Sequence, residues 1–309
     1  GLEPGNGNGY TQDVPLVEIS PAGTPTMKVQ SPKNAFDLKN MNDFVIWTER
    51  PDSVAHIDKN EVVFAGFGVV APEYGWNDYA GLDVKGKTVL VMVNDPGYYD
   101  STLFKGHTMT YYGRWTYKYE EAARQGAAAC LIIHNTGAAS YPFQVVQSSN
   151  GGVKLHLDTR GSSQYQLALQ GWITEETGKK LLASAGKDTS LLTAAKHKGF
   201  KAQPLDIKLS AGLKVKEVYN KSHNVIAKIT GAKRPNDYII FSAHWDHLGI
   251  GSPDAKGDSI YNGAADNASG TAALLEIARA FKSLPEKPER TIIFLAVTAE
   301  EQGLLGSAY

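Results

Sequence analysis

Short apolar runs, bounded by Gly, Pro, Asn or Asp, recur along the chain and predict buried strands. Such runs lie in EVVFAGFGVV, KTVLVMVND, AAACLIIH, SHNVIAKITG, DYIIFSAHWDH and TIIFLAVTAEE. Amphipathic stretches with helical periodicity alternate with them, in TYKYEEAARQGA, ITEETGKKLLASAG and NASGTAALLEIARAFKSLP. This alternation indicates an α/β fold with a mixed, mainly parallel sheet flanked by helices.

The pattern of residue types along the chain predicts three segments. Residues 1–44 are extended and broken by Pro and Gly, whereas residues 45–210 read as strand, helix and strand, a small α/β unit. The stretch KHKGFKAQPLDIKLSAGLKVKE is charged and alternating, and we place a boundary there. Residues 211–309 then carry a second α/β pattern.

Composition narrows the classes of protein that the chain can represent. Hydrophobic residues make up 42%, charged residues 20%, and the formal net charge is −1, which gives no electrostatic reason to expect a nucleic-acid partner. No apolar run reaches the ~18–20 residues that a membrane-spanning segment needs. The single cysteine, Cys130, lies in a predicted buried strand. The chain begins at Gly1 without a signal peptide, and we expect it to start inside a longer protein.

Polar side chains with metal-binding chemistry follow two of the predicted strands. His244 and Asp246 come at the end of one strand, Glu300 and Glu301 at the end of another, and Asp266 stands before the helix between them. Ligand sites in open α/β sheets form outside the carboxyl ends of the strands, so these residues are predicted on one rim.

Imidazole with several carboxylates, and no thiolate, suits a hydrolytic zinc site. Asp266 has two oxygens that could bridge two metals, and Asp246 could accept the second ring N–H of His244. Of Glu300 and Glu301, one could bind metal while the other takes a proton from water. Each element alone has a simpler interpretation, because a glutamate pair often starts a solvated helix and an aspartate often caps one.

Another histidine, His247, follows Asp246 directly. If the strand alternation continues past His244, the His247 side chain faces away from Asp246. The sequence pattern therefore does not favour His247 as a metal ligand.

Together these stretches resemble a known family. SAHWDHLG, NGAADNASGTAALLEIA and FLAVTAEEQGLLGS are similar to the two-zinc aminopeptidase family (peptidase family M28), which also includes glutamate carboxypeptidase-like and transferrin-receptor-like proteins. GRWTYKYEEAARQGAAACLIIH resembles a protease-associated insert. The resemblance implies a zinc-exopeptidase-like fold in which 1–44 start the peptidase domain, 45–210 form the insert and 211–309 resume the catalytic domain.

The resemblance also implies a role for each site residue. His244 would bind one zinc and Glu301 the other, with Asp266 bridging both. Glu300 would be the general base, and Asp246 would orient His244. The family further implies a cis peptide bond after Asp266.

The family also has ligands that would lie beyond Tyr309, and a later strand expected beside residues 291–298. We therefore expect the 309-residue chain to be a fragment truncated at both ends, and inactive alone. The implied function is an exported, zinc-dependent exopeptidase with two zinc ions and peptide substrates, most simply an aminopeptidase. The alternatives are a carboxypeptidase or other amide hydrolase of the same fold, and a non-catalytic, receptor-like relative. Retention of His244, Asp266 and Glu301 argues against the last alternative, and the sequence leaves the oligomeric state open.

Overall fold

The structure is a computed structural model that describes residues 1–150, 152–162, 165–251, 253 and 256–309. Its strands are, in chain order, β1 (Glu3–Pro4), β2 (Thr11–Pro21), β3 (Thr26–Gln30), β4 (Ala35–Leu38), β5 (Phe44–Trp47), β6 (Val54–Phe64), β7 (Val70–Ala71), β8 (Trp76–Asn77), β9 (Thr88–Met92), β10 (Ala129–Ile133), β11 (Lys154–Leu157), β12 (Leu169–Ile173), β13 (Gln203–Ile229), β14 (Arg234–His244), β15 (Gly249–Ile250), β16 (Ile260–Tyr261) and β17 (Arg290–Val297). Its α-helices are α1 (Trp115–Arg124), α2 (Thr136–Ala139), α3 (Phe143–Asn150), α4 (Glu175–Ser184), α5 (Ser190–Ala194), α6 (Ser269–Lys282) and α7 (Leu305–Ala308).

The chain forms two compact units. Unit 1 comprises residues 1–18, 154–158 and 218–309, and unit 2 comprises residues 19–153 and 159–217. The predicted boundary at residue 210 falls inside β13, because the charged, alternating stretch is itself a strand with buried apolar and exposed charged positions. The division at residues 44 and 210 stays a prediction, as does the identity of the protease-associated insert.

The sheet of unit 1 brings together the strands that carry the candidate site. β17 pairs in parallel with β14 and antiparallel with the last part of β13, and β1 pairs with β13. This confirms that residues 223–229, 238–244 and 291–298 share one sheet. Both edges of β17 are paired, so the expectation of a later strand beside it is wrong for this structure.

Helix α6 packs on this sheet through one apolar face. Its buried Leu274 and Ala278 share a core cluster with Ile292 and Phe294 of β17 and Ala243 of β14. The spacing of four between Leu274 and Ala278 places them on one side of the helix, as the sequence pattern predicted. The helix thereby fixes the loop before it, which carries Asp266.

Unit 2 contains a mixed sheet with the strand order β13-β6-β9-β10-β12-β5. Pairings from β6 to β12 are parallel, and β13 and β5 pair antiparallel at the two ends. Cys130 is fully buried on β10, as expected, and burial raises the pKa of its thiol. His134 is also buried, with Nε2 3.0 Å from the carbonyl of Tyr141, so it is a core residue.

The mixed α/β class is thus confirmed. Within the described part of the chain, no helix combines the length and apolar character needed to cross a membrane.

Candidate metal centre

Two parallel strands deliver the candidate residues to one rim of the unit 1 sheet. His244, the last residue of β14, is in register with Val297, the last residue of β17. The Trp245 N–H continues this pairing and donates to the Val297 carbonyl at 3.0 Å. The turns that follow the two strands therefore start side by side, as the carboxyl-end rule predicted.

His244 lies at the centre of the candidate residues. Its Nε2 is 2.9 Å from Asp266 Oδ1 and 3.6 Å from Glu300 Oε2, and its Nδ1 is 3.0 Å from the Asp246 backbone carbonyl. Burial disfavours the charged imidazole, but the hydrogen bonds to Asp246 and Asp266 and the charges of Glu300 and Asp246 together outweigh burial and raise the pKa of His244. The ring is thus held by several acceptors at once.

Asp266 sits in a short turn, Ala264–Ala268, directly before α6. The Asp266–Asn267 peptide bond is cis, as the resemblance implied. Asn267 Oδ1 accepts the Gly270 N–H at 2.9 Å, and the Thr271 hydroxyl donates to the His244 carbonyl at 3.0 Å. These bonds tie the first turn of α6 to the end of β14 and place Asp266 beside His244.

The glutamates are held in different ways. The Glu300 backbone N–H donates to both carboxylate oxygens of Asp246, at 3.1 and 3.0 Å, while its own side chain extends towards His244. Glu301 Oε1 lies 2.6 Å from His247 Nδ1. The two adjacent glutamates therefore have different environments, as they must if one binds metal and the other acts as a base.

The donor set fits zinc. Ligand atoms of His244, Glu300 and Glu301 all lie within 4.8 Å of one another, and Asp266 joins this group through His244. Imidazole nitrogen and carboxylate oxygen are donors that zinc binds. His244 is 7% exposed whereas the Asp266 side chain is 70% exposed, so the group extends from the buried end of β14 to the surface.

The contacts of Asp246 differ from those that the sequence predicted. The carboxylate of Asp246 was expected on the His244 ring, but its Oδ1 lies 3.7 Å from Nδ1, and the closer contact comes from its backbone carbonyl. The carboxylate binds the Glu300 backbone instead. The role of Asp246 as the residue that orients His244 stays a prediction.

His247 was the residue that sequence reasoning missed. Strand alternation placed it away from the site, but β14 ends at His244, and the chain then turns so that His247 contacts Glu301. A second histidine three residues after the first, just beyond a strand end, was the available signal.

Known proteins share sequence with this chain over part of its length. Residues 224–309 match the sequence model of peptidase family M28. A probable zinc metalloprotease of Pyrenophora teres f. teres (strain 0-1) is 32% identical over 179 residues, which cover 58% of this chain and 34% of that protein. Aminopeptidase NAALADL1 of Rattus norvegicus is 42% identical over 107 residues, which cover 31% of this chain and 13% of that protein.

Among solved structures, the aminopeptidase from Aneurinibacillus sp. strain AM-1 aligns with a TM-score of 0.41 and 24% identity, over 96% of this chain and 55% of that one. The chain thus spans about a third or less of the two curated relatives described above.

Fold and site define the class of protein: an α/β protein with a histidine–carboxylate cluster of metal-binding chemistry at the carboxyl ends of parallel strands. The segment that matches the model of peptidase family M28, residues 224–309, contains every candidate site residue.

Proposed function

We propose that the protein is a two-zinc aminopeptidase that removes N-terminal residues from peptides. The observation that carries this proposal is the convergence of His244, Glu300 and Glu301 within 4.8 Å, with Asp266 against His244. The sequence similarity to proteins named zinc metalloprotease and aminopeptidase supports the choice of metal and of substrate.

In this proposal, His244 would hold one zinc ion, Glu301 would hold the other, and the Asp266 carboxylate would be shared by both. Zinc, when bound, supplies Lewis acidity that polarises a peptide carbonyl and acidifies water. The exposure of the Asp266 side chain, 70%, leaves its oxygens accessible from the solvent side of the rim.

Glu300 acts as the general base in this arrangement. Its carboxylate is 30% exposed, so water can reach it, and its Oε2 lies 3.6 Å from His244 Nε2. It takes a proton from the attacking water and gives it to the leaving amine. A base must lie within reach of the proton that it abstracts, and Asp246 fixes the Glu300 backbone beside the metal ligands.

The experiment combines metal content with substrate choice, on the complete gene product. Zinc per chain is measured by mass spectrometry, and hydrolysis is compared between leucine p-nitroanilide, its N-acetylated analogue and a peptide with a blocked N-terminus. We expect two zinc ions, loss of activity with a chelator, recovery with zinc, and no hydrolysis of blocked substrates. Equal hydrolysis of blocked substrates would exclude an aminopeptidase, and absence of zinc binding would refute the metal centre.

A further inference from the structure

His247 lies where three pieces of the candidate site meet. Its Nδ1 is 2.6 Å from Glu301 Oε1, and the two side chains are 23% and 18% exposed. The ring of Tyr261, at the end of β16, meets the imidazole edge-on with 6.4 Å between ring centroids. The hydrogen bond is thus partly shielded from water, where polar contacts are stronger than on open surface.

The loop before Asp266 also packs directly against His247. Gly263 has φ of +64°, and a Cβ added there would lie 2.9 Å from Cγ and 3.0 Å from Cβ of His247. Cβ and Cγ join the imidazole ring to the backbone, so they cannot move aside as the end of a flexible side chain could. His247 therefore contacts the segment after β17 and the loop that leads to Asp266 at the same time.

We infer that His247 is a positioning residue that orients the Glu301 carboxylate towards its metal. A free glutamate side chain samples several rotamers, and a hydrogen bond to one oxygen selects among them and leaves the other oxygen free. Carboxylates that bind metals are commonly held in this way by a neighbouring group. The inference rests on the proposed function, because it takes Glu301 to be a zinc ligand.

The competing interpretation makes His247 itself a zinc ligand. The two can be separated with asparagine, whose amide nitrogen is as many bonds from Cβ as Nδ1 is. Asparagine can donate the same hydrogen bond to Glu301, whereas a neutral amide is not among the usual zinc donors. His247→Asn should therefore preserve positioning but not ligation.

The test measures zinc affinity of the complete gene product by competition with a chromophoric chelator. The variants are His247→Ala, His247→Asn, Glu301→Gln and the double variant Glu301→Gln with His247→Ala. The matched control is His223→Ala, which removes another histidine–carboxylate pair of unit 1, with Asp13 at 2.9 Å. Circular dichroism and thermal unfolding confirm that each variant is folded.

We expect His247→Ala to weaken one zinc by about 10–100-fold, the usual effect of removing a group that orients a ligand. His247→Asn should recover most of this loss, the double variant should bind no more weakly than Glu301→Gln, and His223→Ala should match the wild type. Unchanged zinc affinity in His247→Ala would overturn this inference and leave the proposed function standing. Failure of asparagine to recover the affinity would identify His247 as a ligand and also overturn it. A wild-type protein that binds no zinc would refute both.

Discussion

Nε2 of His244 and Oδ1 of Asp266 lie 2.9 Å apart, across a separation of 22 residues in the sequence. Strand β14 supplies the histidine, and the turn before α6 supplies the aspartate. Helix α6 closes the distance, since its core side packs on β14 and β17 while its first turn bonds to the His244 carbonyl. The geometry of the candidate metal centre is therefore a product of helix–sheet packing as much as of the site residues themselves.

The first prediction concerns Asp266. Asp266→Ala should abolish binding of both zinc ions, because a bridging carboxylate serves each metal. Its side chain is 70% exposed and should contribute little to folding, so the melting temperature of the zinc-free protein should change little. Zinc content by mass spectrometry, with thermal unfolding in the presence of a chelator, checks both parts. Retention of one tightly bound zinc would show that Asp266 does not bridge.

A second prediction separates the two glutamates. Glu300→Gln should keep both zinc ions and lower kcat by about 10²–10⁴-fold, the contribution of a positioned general base. Glu301→Gln should instead weaken one zinc, since an amide replaces a charged ligand. Zinc content and kcat are measured on the same preparations. If Glu300→Gln lost zinc and Glu301→Gln kept it, the two roles would be exchanged.

The third prediction uses two glycines with the same backbone preference. Gly263 and Gly257 both have positive φ, at +64° and +84°. An added Cβ meets His247 at position 263, whereas at position 257 it finds no atom of the described residues within 4 Å. In both alanine variants the free energy of unfolding should fall by a similar amount, about 1 kcal/mol, because alanine disfavours positive φ. Only Gly263→Ala should also weaken zinc binding, because its Cβ crowds His247 and, at 3.1 Å, the Asp266 carbonyl.

Urea unfolding and zinc titration of Gly263→Ala and Gly257→Ala test this difference. Equal zinc affinity in the two variants would show that contact between Gly263 and His247 is not needed for the metal centre.

The sequence allowed much of the site to be predicted. Parallel strands end on one rim, so His244 and the glutamates after β17 could be placed together from strand patterns alone. The alternation rule failed at His247 because it holds only while the backbone stays extended, and β14 ends at His244. The Asp246 carboxylate could not be assigned either, since its partner is a backbone N–H that carries no sequence signal.

The domain boundary shows a similar limit. The segment from Leu205 to Val215 alternates buried apolar with exposed or partly exposed positions, and this pattern alone predicts a strand. Because the wider stretch is charged as well as alternating, it was interpreted instead as a boundary between segments. The structure forms strand β13 here, so the alternation was the better signal for secondary structure, while the boundary itself stays a prediction.

The last prediction concerns the stability of unit 2. Lys118 on α1 is fully buried, and its Nζ donates to the carbonyls of Asn94 and Tyr112 at 2.8 and 2.6 Å. Burial lowers the pKa of Lys118 to about 7, although the nearby carboxylates of Asp78 and Asp95 oppose this shift. The unfolded chain holds the lysine proton up to about pH 10.4. Between these values the unfolded state binds more protons, so Lys118 should make stability rise with pH and fall as pH drops towards 7.

The experiment compares the wild type with Lys118→Met by urea unfolding, between about pH 7.5 and 9, with exposed Lys105→Met as the control. The difference in unfolding free energy between wild type and Lys118→Met should change by up to about 1.4 kcal/mol per pH unit, with the wild type gaining as pH rises. Asp78, whose pKa burial raises to about 6, titrates below this window. The raised pKa of the buried Cys130 thiol makes the protein less stable as pH rises. Because Cys130 is present in both proteins, this contribution largely cancels in the difference. Parallel curves for wild type and Lys118→Met would mean that Lys118 keeps an ordinary pKa inside the fold, with its charge fully compensated by the two carbonyls and the nearby carboxylates.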